Sequence, residues 1–179
     1  MSANEREGEA REIMWPSTGR APWSVFAILD AARNKAIYPA VKTSGLPYTC
    51  LYTGKLPDVL LEAAPYLVKL EKDSLFTKQL LSEGWGDHWG IFVLSNSTLE
   101  EMRRHFKRLL RVKDPEGKTL IFRFYDPRVL RVFLPTCEAG ELAMMFGPAR
   151  MFVQPGEGGE VLSFFRDGAA LGVTGSPNN

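Results

Sequence analysis

The stretch WGIFVLSNSTLEEMRRHFKRLLRV, at residues 89–112, places an apolar run directly before an amphipathic helix. Its first seven residues, 89–95, form a continuous apolar run, which is typical of a strand covered on both faces. The sequence Ser97-Thr98-Leu99-Glu100 matches a capping box and predicts that a helix begins there. A buried strand that leads into such a helix predicts a layered α/β fold. The apolar side chains of the helix recur at a spacing near 3.6 residues and are Leu99, Met102, Phe106, Leu109 and Leu110.

Strand and helix patterns alternate along the rest of the chain as well. Short β-rich runs, such as YLVKLE at 66–71, are separated by helical segments. This alternation predicts a mixed α/β fold, in which a central mixed β-sheet is flanked by helices. MFVQ at 151–154 and VLSFFRDG at 161–168 lie on either side of the turn PGEGG and predict a C-terminal β-hairpin.

Composition divides the chain into three parts. Residues 1–22 are charged and are then interrupted by prolines and a glycine, which predicts a flexible N-terminal arm. Residues 23–154 carry the alternating strands and helices and are expected to form the α/β domain. Residues 155–179 contain the hairpin extension and end in GSPNN, which we expect to be a loose tail.

The overall charge is nearly balanced, but the middle of the chain is basic. The formal net charge of +1 argues against a general attraction to nucleic acid or anionic membranes. Residues 97–131 nevertheless hold ten Lys/Arg against five Asp/Glu. The N-terminus lacks the apolar core of a signal peptide, and no apolar run approaches the roughly 20 residues that span a bilayer. Two cysteines in no CxxC spacing do not make a disulfide scaffold, so we expect a reduced, cytoplasmic protein.

The segment TLIFRFYDPRVLR, at 119–131, begins with a strand pattern. Residues 119–125 are largely apolar on both alternating faces, which predicts a central strand and a partly buried Arg123. A buried guanidinium needs a paired carboxylate, and the candidates are Asp126 and Asp30. Arg123 is therefore expected either to hold the structure together or to present a peptide or a carboxylate.

The same segment continues with a helix start. The carboxylate of Asp126 can accept a hydrogen bond from a free N–H in the first helical turn. Pro127 lacks an N–H and has a fixed φ that suits the first helical position. Together the two residues predict a helix over 128–134.

The helix after residue 97 also carries a basic face. Five cations share the side opposite the apolar stripe: Arg103, Arg104, Lys107, Arg108 and Arg111. A solvated face is the simplest interpretation, and an acidic protein partner is the more specific one. Nucleic acid is less favoured, because aromatic residues do not alternate with these cations as base stacking requires.

Side chains that could carry catalysis or bind a metal are few. The chain offers Cys50, Cys137, His88 and His105, but no GxSxG elbow, no HxH or HxxxH pair and no phosphate-binding glycine motif. We therefore expect no catalytic residue, no metal and no cofactor. A small hydrolase or transferase that pairs one of the histidines with a carboxylate remains an alternative.

Two tryptophans, Trp85 and Trp89, flank the glycine-bounded turn GWGDHWG at 84–90. The simpler expectation is that they fix this turn to the core. The alternative is that one of them is an aromatic anchor for a partner.

Five stretches of the chain occur in an order typical of one protein family. They are FAILDAAR (26–33), CLYTGKLPDVLLEAAPYLVKLE (50–71), WGIFVLSNSTLEEMRRHFKRLLRV (89–112), FRFYDPRVLRVFL (122–134) and, more weakly, GPARMF (147–152). The most specific is the aromatic-Arg-aromatic-Tyr-Asp-Pro-Arg block, preceded by APYLV and a WG strand. In this order the chain resembles the domain of unknown function found in type VI secretion adaptor chaperones.

The resemblance implies a protein without catalytic turnover. Members are similar to dedicated adaptors that bind a toxic effector in the cytoplasm and hand it to a spike protein of the VgrG type. We therefore expect an effector toxin and a VgrG-type spike as partners, and neither membrane nor nucleic acid. A nucleic-acid-binding domain that uses the basic helix 98–111 remains a further alternative. The predicted partner-binding residues are Arg103, Arg104, Lys107, Arg108, Arg123, Tyr125, Asp126, Arg128 and Trp85.

Overall fold

The apolar run before the amphipathic helix is a central strand of the largest sheet. The computed structural model describes residues 2–18 and 23–175. The strands in these residues are β1 Ser24–Asp30, β2 Tyr48–Cys50, β3 Pro65–Lys69, β4 Gly90–Ser95, β5 Arg111–Lys113, β6 Thr119–Ile121, β7 Ala149–Pro155, β8 Val161–Asp167 and β9 Ala170–Thr174. Seven of them form one sheet in the order β2-β3-β1-β4-β7-β8-β9, and β5 pairs with β6 in a separate ribbon.

The α/β class and the C-terminal hairpin are confirmed, but the sheet is not mixed. Every pairing between described strands is antiparallel. The connections β1 to β2 and β3 to β4 contain helices and do join strands of the same direction. In each case, however, another strand lies between the two, since β3 separates β1 from β2 and β1 separates β3 from β4. Helices also occur in the connections β2 to β3 and β4 to β7, which join antiparallel neighbours, so a helix between two strands does not specify a parallel pair.

Helices cover both faces of the sheet. In the described residues they are α1 Ala3–Met14, α2 Ile37–Thr43, α3 Asp58–Leu61, α4 Leu75–Gln79, α5 Leu99–Leu109, α6 Pro127–Phe133 and α7 Ala139–Phe146. A π-helical turn, Leu80–Gly84, continues α4, and a 3-10 turn, Leu134–Thr136, follows α6. Alternate residues of β1 enter different cores: Ala27 packs in the cluster with α1, α2 and α4, whereas Ile28 packs in the cluster with α5, α6 and α7. The central strands are thus buried on both sides, as their apolar runs predict.

Helix α5 begins one residue later than its sequence suggested. The N-cap is Thr98, whose side chain accepts from the backbone N–H of Glu101, while the Glu101 carboxylate accepts from the Thr98 N–H. Ser97 instead donates its backbone N–H to Ser95 Oγ at 3.1 Å. A capping box can begin at Ser97 with Glu100 or at Thr98 with Glu101, so the local pattern does not distinguish the two starts. The apolar stripe is confirmed, because its central member Phe106 is fully buried.

The central strand predicted at 119–125 is wrong, because only its first three residues, up to Ile121, form a strand, and that strand lies outside the main sheet. Strand β6 ends at Ile121 and pairs only with β5, and all six residues of this ribbon are exposed. The chain then turns, with the Asp126 N–H bonded to the Arg123 carbonyl at 3.0 Å. Phe124 stacks on Phe106 of α5, with ring centroids 5.6 Å apart. Phe124 and Tyr125 therefore fill the core from a turn and do not belong to a strand.

The N-terminal segment is not a loose arm where it is described. Residues 3–14 form α1, which is capped by Ser2 and Glu5. Ala10 and Met14 are fully buried in the core, and the Arg11 guanidinium bonds Asp73 at 3.0 Å. The many charged residues of this segment are typical of an exposed arm, but the buried side chains of Ala10 and Met14 attach the helix to the core. Residues 19–22 of the predicted arm and residues 176–179 of the predicted tail lie outside the described residues.

Candidate partner-binding site

An ion pair ties the FRFYDPR segment, residues 122–128, to the end of the central strand β1. The Arg123 guanidinium donates from Nη2 to Asp30 Oδ2 across 93 positions of sequence. The Asp30 side chain is only 3% exposed, whereas that of Arg123 is 47% exposed. Asp30 also accepts the backbone N–H of Ala32 at 3.2 Å. The pair therefore consists of a buried carboxylate and a guanidinium that still faces solvent.

A second pair lies at the start of α6. Asp126 caps this helix by accepting the Arg128 backbone N–H at 2.9 Å, and Pro127 is the first helical residue, as the sequence predicts. The Arg128 guanidinium returns two hydrogen bonds to the same carboxylate, at 3.0 and 2.7 Å. Burial alone would raise the pKa of Asp126, but the hydrogen bonds from Arg128 outweigh it and lower the pKa below its ordinary value. Asp126 is thus held as a charged carboxylate that orients Arg128.

A third pair comes from the turn before β4. Asp87 accepts from Arg33 Nη2 at 2.7 Å, and its other oxygen accepts from Asn34 and from the Trp89 indole N–H. The next residue, His88, has a positive φ of 54°. Burial lowers the pKa of His88, and the nearby guanidinium groups of Arg128 and Arg131 lower it further.

We use the term arginine cluster for Arg33, Arg123 and Arg128 together with their carboxylate partners Asp87, Asp30 and Asp126. In each pair the carboxylate fixes one side of a planar guanidinium, whose other donors point away from it. A guanidinium held in this way loses little conformational freedom when it binds a carboxylate or a backbone carbonyl. The cluster is therefore suited to holding polar groups of a partner chain.

The basic face of α5 is a second cationic surface. Arg104, Lys107 and Arg108 of α5 are exposed, and so is Arg111, which begins β5 and does not belong to the helix as predicted. None of these four takes part in an ion pair within the described residues. Arg103 differs from them, because its Nε donates to the Cys50 carbonyl at 3.3 Å and Glu100 lies 3.8 Å from its Nη1. The four exposed cations are free to act on a partner, while Arg103 mainly fixes α5 to the end of β2.

A family model described as a domain of unknown function, DUF4123, matches residues 25–144, about two thirds of the sequence. The chain belongs to the DUF4123 family. No curated protein and no solved structure matches it.

The DUF4123 match covers all three ion pairs of the arginine cluster and the whole of α5. Four of the five stretches that carried the resemblance lie inside the matched range, and GPARMF at 147–152 lies outside it. The DUF4123 domain is known from type VI secretion effector adaptors. Strands β7, β8 and β9 continue the same sheet beyond the match.

Some predicted partner-binding residues of this DUF4123 protein are buried. Trp85 is 6% exposed, stacks on Phe92, and donates its indole N–H to the Gly159 carbonyl at 3.0 Å. Tyr125 is 2% exposed, and burial raises the pKa of its hydroxyl. The alternative that Trp85 is a surface anchor is therefore wrong in this structure. Tyr125 and Asp126 support the site from below, and only their arginine neighbours reach the surface.

Sequence reasoning missed Arg33 and Asp87 of the arginine cluster. Arg33 lies in the stretch FAILDAAR and Asp87 in the turn GWGDHWG, and neither was among the predicted partner-binding residues. The local signal in the sequence was Asp87, two residues before Trp89 in a glycine-bounded turn, where a carboxylate can accept the indole N–H. Their meeting depends on the pairing of β1 with β4, because Arg33 follows β1 and Asp87 precedes β4.

In the described residues the two histidines lie in different surroundings. His105 Nε2 lies 3.0 Å from the Met145 carbonyl, and the carboxylate of Glu101 one turn earlier is engaged by Thr98. His88 Nδ1 is buried and has no hydrogen-bond partner. Within 2–18 and 23–175, no three His, Cys, Asp or Glu side chains are grouped as a metal site requires. No helix in these ranges has the length and apolar character needed to cross a membrane.

Stability is expected to fall as the pH is lowered from 7.5 to 5.5. Burial lowers the pKa of both His105 and His88 below the ordinary value of 6.5. Between that value and the lowered pKa, the unfolded chain binds protons that the folded chain excludes, so the free energy of unfolding decreases with falling pH. Urea unfolding at several pH values measures this slope. His105→Gln should reduce the slope, because it removes one of the two titrating groups while the new amide can still donate to the Met145 carbonyl. An unchanged slope in this variant and in His88→Gln would contradict the prediction.

Proposed function

We propose that this protein is a non-enzymatic adaptor that binds a type VI secretion effector in the cytoplasm and helps to load it onto a VgrG-type spike. The observation that carries the proposal is the DUF4123 match over residues 25–144, because this domain is associated with type VI secretion effector adaptors. The match includes the FRFYDPR segment and the basic helix.

The geometry supports a protein partner. The arginine cluster presents guanidinium groups that are already oriented, and the exposed basic face of α5 adds charge for long-range attraction of an acidic chain. The exposed large apolar residues are almost all aliphatic, and the single aromatic among those described is Tyr48. Stacking of nucleobases needs exposed aromatic rings, so these surfaces suit a protein better than a nucleic acid.

Co-purification tests the proposal directly. The tagged protein should be expressed with the effector and the spike protein encoded beside it, and recovered complexes should be analysed by gel filtration. We expect a stable complex with the effector, and a larger one when the spike is added. Recovery of neither protein, from preparations in which each is folded, would overturn the proposed function.

Charge reversal on α5 is expected to weaken effector binding. The double variant Arg104→Glu/Arg108→Glu should slow association roughly 10-fold at low salt, because these exposed cations attract an acidic partner. Its affinity should also depend less on salt than that of the wild type, since screening acts on the removed attraction. Lys69→Glu/Lys78→Glu makes the same change in net charge at other exposed positions and is the matched control. Equal association rates for all three proteins would exclude the basic face from binding.

A further inference from the structure

A groove lies on the side of α5 that leads toward the β5–β6 ribbon. It has a volume of about 390 Å³ and is formed by the loop after β2, by α3, by the C-terminal end of α5 and by the ribbon. Leu51 and Leu110 lie at its buried base. A volume of this size is within the range of roughly 300–1,000 Å³ that is typical of binding clefts.

The walls of the groove are apolar side chains that remain exposed. Leu60 of α3 is 45% exposed and Ile121 of β6 is 64% exposed, although both line the groove. Ile121 stands directly opposite Arg111 in the ribbon, so both side chains lie on the same ribbon face. A two-stranded ribbon is marginally stable in water by itself, and exposed apolar groups on it mark a surface that is completed by a partner.

The charge of the groove is of one sign. Lys107 and Arg111 lie along its rim, and no Asp or Glu is found among the described residues that line it. Both cations are exposed and belong to the basic face of α5 or continue it. An occupant that matches this surface must bring apolar side chains for the base and carboxylates for the rim.

We infer that this groove holds an amphipathic, acidic segment of the protein partner, with apolar side chains seated between Leu60 and Ile121 and carboxylates paired with Lys107 and Arg111. The inference rests on the proposed function, since it assigns the contact by which the effector is bound. Apolar anchors in a groove with charged flanks are a common mode of segment recognition. The lining is mainly aliphatic, with Tyr52 as the one aromatic among the described residues that form it, so it offers little surface for base stacking. The combination of an apolar base with a basic rim favours an acidic peptide.

Binding measurements on groove variants test the inference. The probes are the purified neighbouring effector and fluorescein-labelled peptides tiled over its sequence. We expect Leu60→Glu and Ile121→Glu each to weaken effector binding about 10-fold or more, because each places a carboxylate where an apolar anchor and an acidic flank should sit. Lys107→Glu/Arg111→Glu should weaken binding and reduce its salt dependence.

Matched controls lie on the opposite face of the sheet. Leu75→Glu, at a position 83% exposed, and Lys78→Glu, also exposed, should leave the affinity within about 2-fold of the wild type, as surface changes away from a contact do. All of the mutated side chains are exposed or lie on the groove rim, so the variants should fold; circular dichroism and thermal melting verify this. At least one tiled peptide should bind the wild type, and it should be acidic and amphipathic.

The outcomes separate the two proposals. If the wild type does not bind the effector, the proposed function fails and the groove assignment fails with it. If the wild type binds but the groove variants bind equally well, only the groove assignment is overturned. The groove assignment alone is also overturned if Ile121→Glu leaves effector binding unchanged but abolishes self-association measured by sedimentation. It is overturned in the same way if this variant leaves effector binding unchanged but abolishes the binding of labelled oligonucleotides.

Discussion

Replacing Arg123 with methionine is expected to destabilise the protein by about 2–4 kcal/mol. The change removes the partner of Asp30, whose side chain is 3% exposed, and leaves a buried carboxylate with the Ala32 N–H as its one donor among the described residues. Removal of one member of a buried pair costs about 3–5 kcal/mol, and we expect a somewhat smaller loss because the Arg123 guanidinium is half exposed. Urea unfolding with linear extrapolation measures the difference.

A double-mutant cycle identifies the source of this loss. Asp30→Asn keeps an acceptor for the Ala32 N–H but removes the buried charge, so Arg123→Met/Asp30→Asn should be more stable than the sum of the single changes predicts, by about 1–3 kcal/mol. Arg33→Met is the matched control. Its carboxylate partner Asp87 is 40% exposed and keeps the hydrogen bonds from Asn34 and from the Trp89 indole, so a smaller loss of about 1 kcal/mol is expected. Additivity in the cycle would show that the Asp30–Arg123 pair does not stabilise the fold.

Gly90→Ala is expected to cost about 3 kcal/mol or more, and to lower the melting temperature by about 6–12 °C. Gly90 begins β4 and pairs with Leu29 of the neighbouring central strand. A Cβ atom at this position would lie 2.0 Å from the Ile28 carbonyl oxygen and 3.0 Å from the Leu29 Cα. These are backbone atoms of a buried strand, which cannot move aside as the end of a flexible side chain can. The strand pair must therefore separate, and the ladder that positions the turn at 85–88 is disturbed.

Gly86 offers a control within the same turn. A Cβ atom there meets no atom within 4 Å, so Gly86→Ala should change stability by less than about 1 kcal/mol. Thermal melting followed by circular dichroism compares the two variants with the wild type. Similar melting temperatures for Gly90→Ala and Gly86→Ala would contradict the argument from close backbone approach.

The basic face and the groove, two of the proposed binding features, both involve helix α5. Rows of cations from α5 face solvent, and the end of that helix contributes Lys107 to the groove rim. The charge-reversal pair at Arg104 and Arg108 therefore tests attraction of the partner, whereas the changes at Leu60 and Ile121 test the seat of its apolar side chains. A partner bound by both features should respond to salt through the first and much less through the second.

Local patterns predicted the elements whose signals are contained within them. The apolar run of β4, the stripe of α5 and the Asp126-Pro127 start of α6 were each identified, since burial on both faces, helical periodicity and capping chemistry depend on neighbours in sequence. The pattern at 119–125 misled, because alternating apolar residues specify burial and do not specify strand pairing. Phe124 and Tyr125 satisfy that burial from a turn.

Sequence patterns alone indicated the α/β class, the basic face of α5, and two possible partners for Arg123, namely Asp30 and Asp126. The folded structure was needed to show that Asp30 pairs with Arg123, that Arg33 and Asp87 join the same cluster, and that α3 and β6 both line one groove. The physical reason is that these contacts join residues tens of positions apart. Such contacts form when sheet pairing and helix packing close the intervening chain, and no local periodicity records that closure.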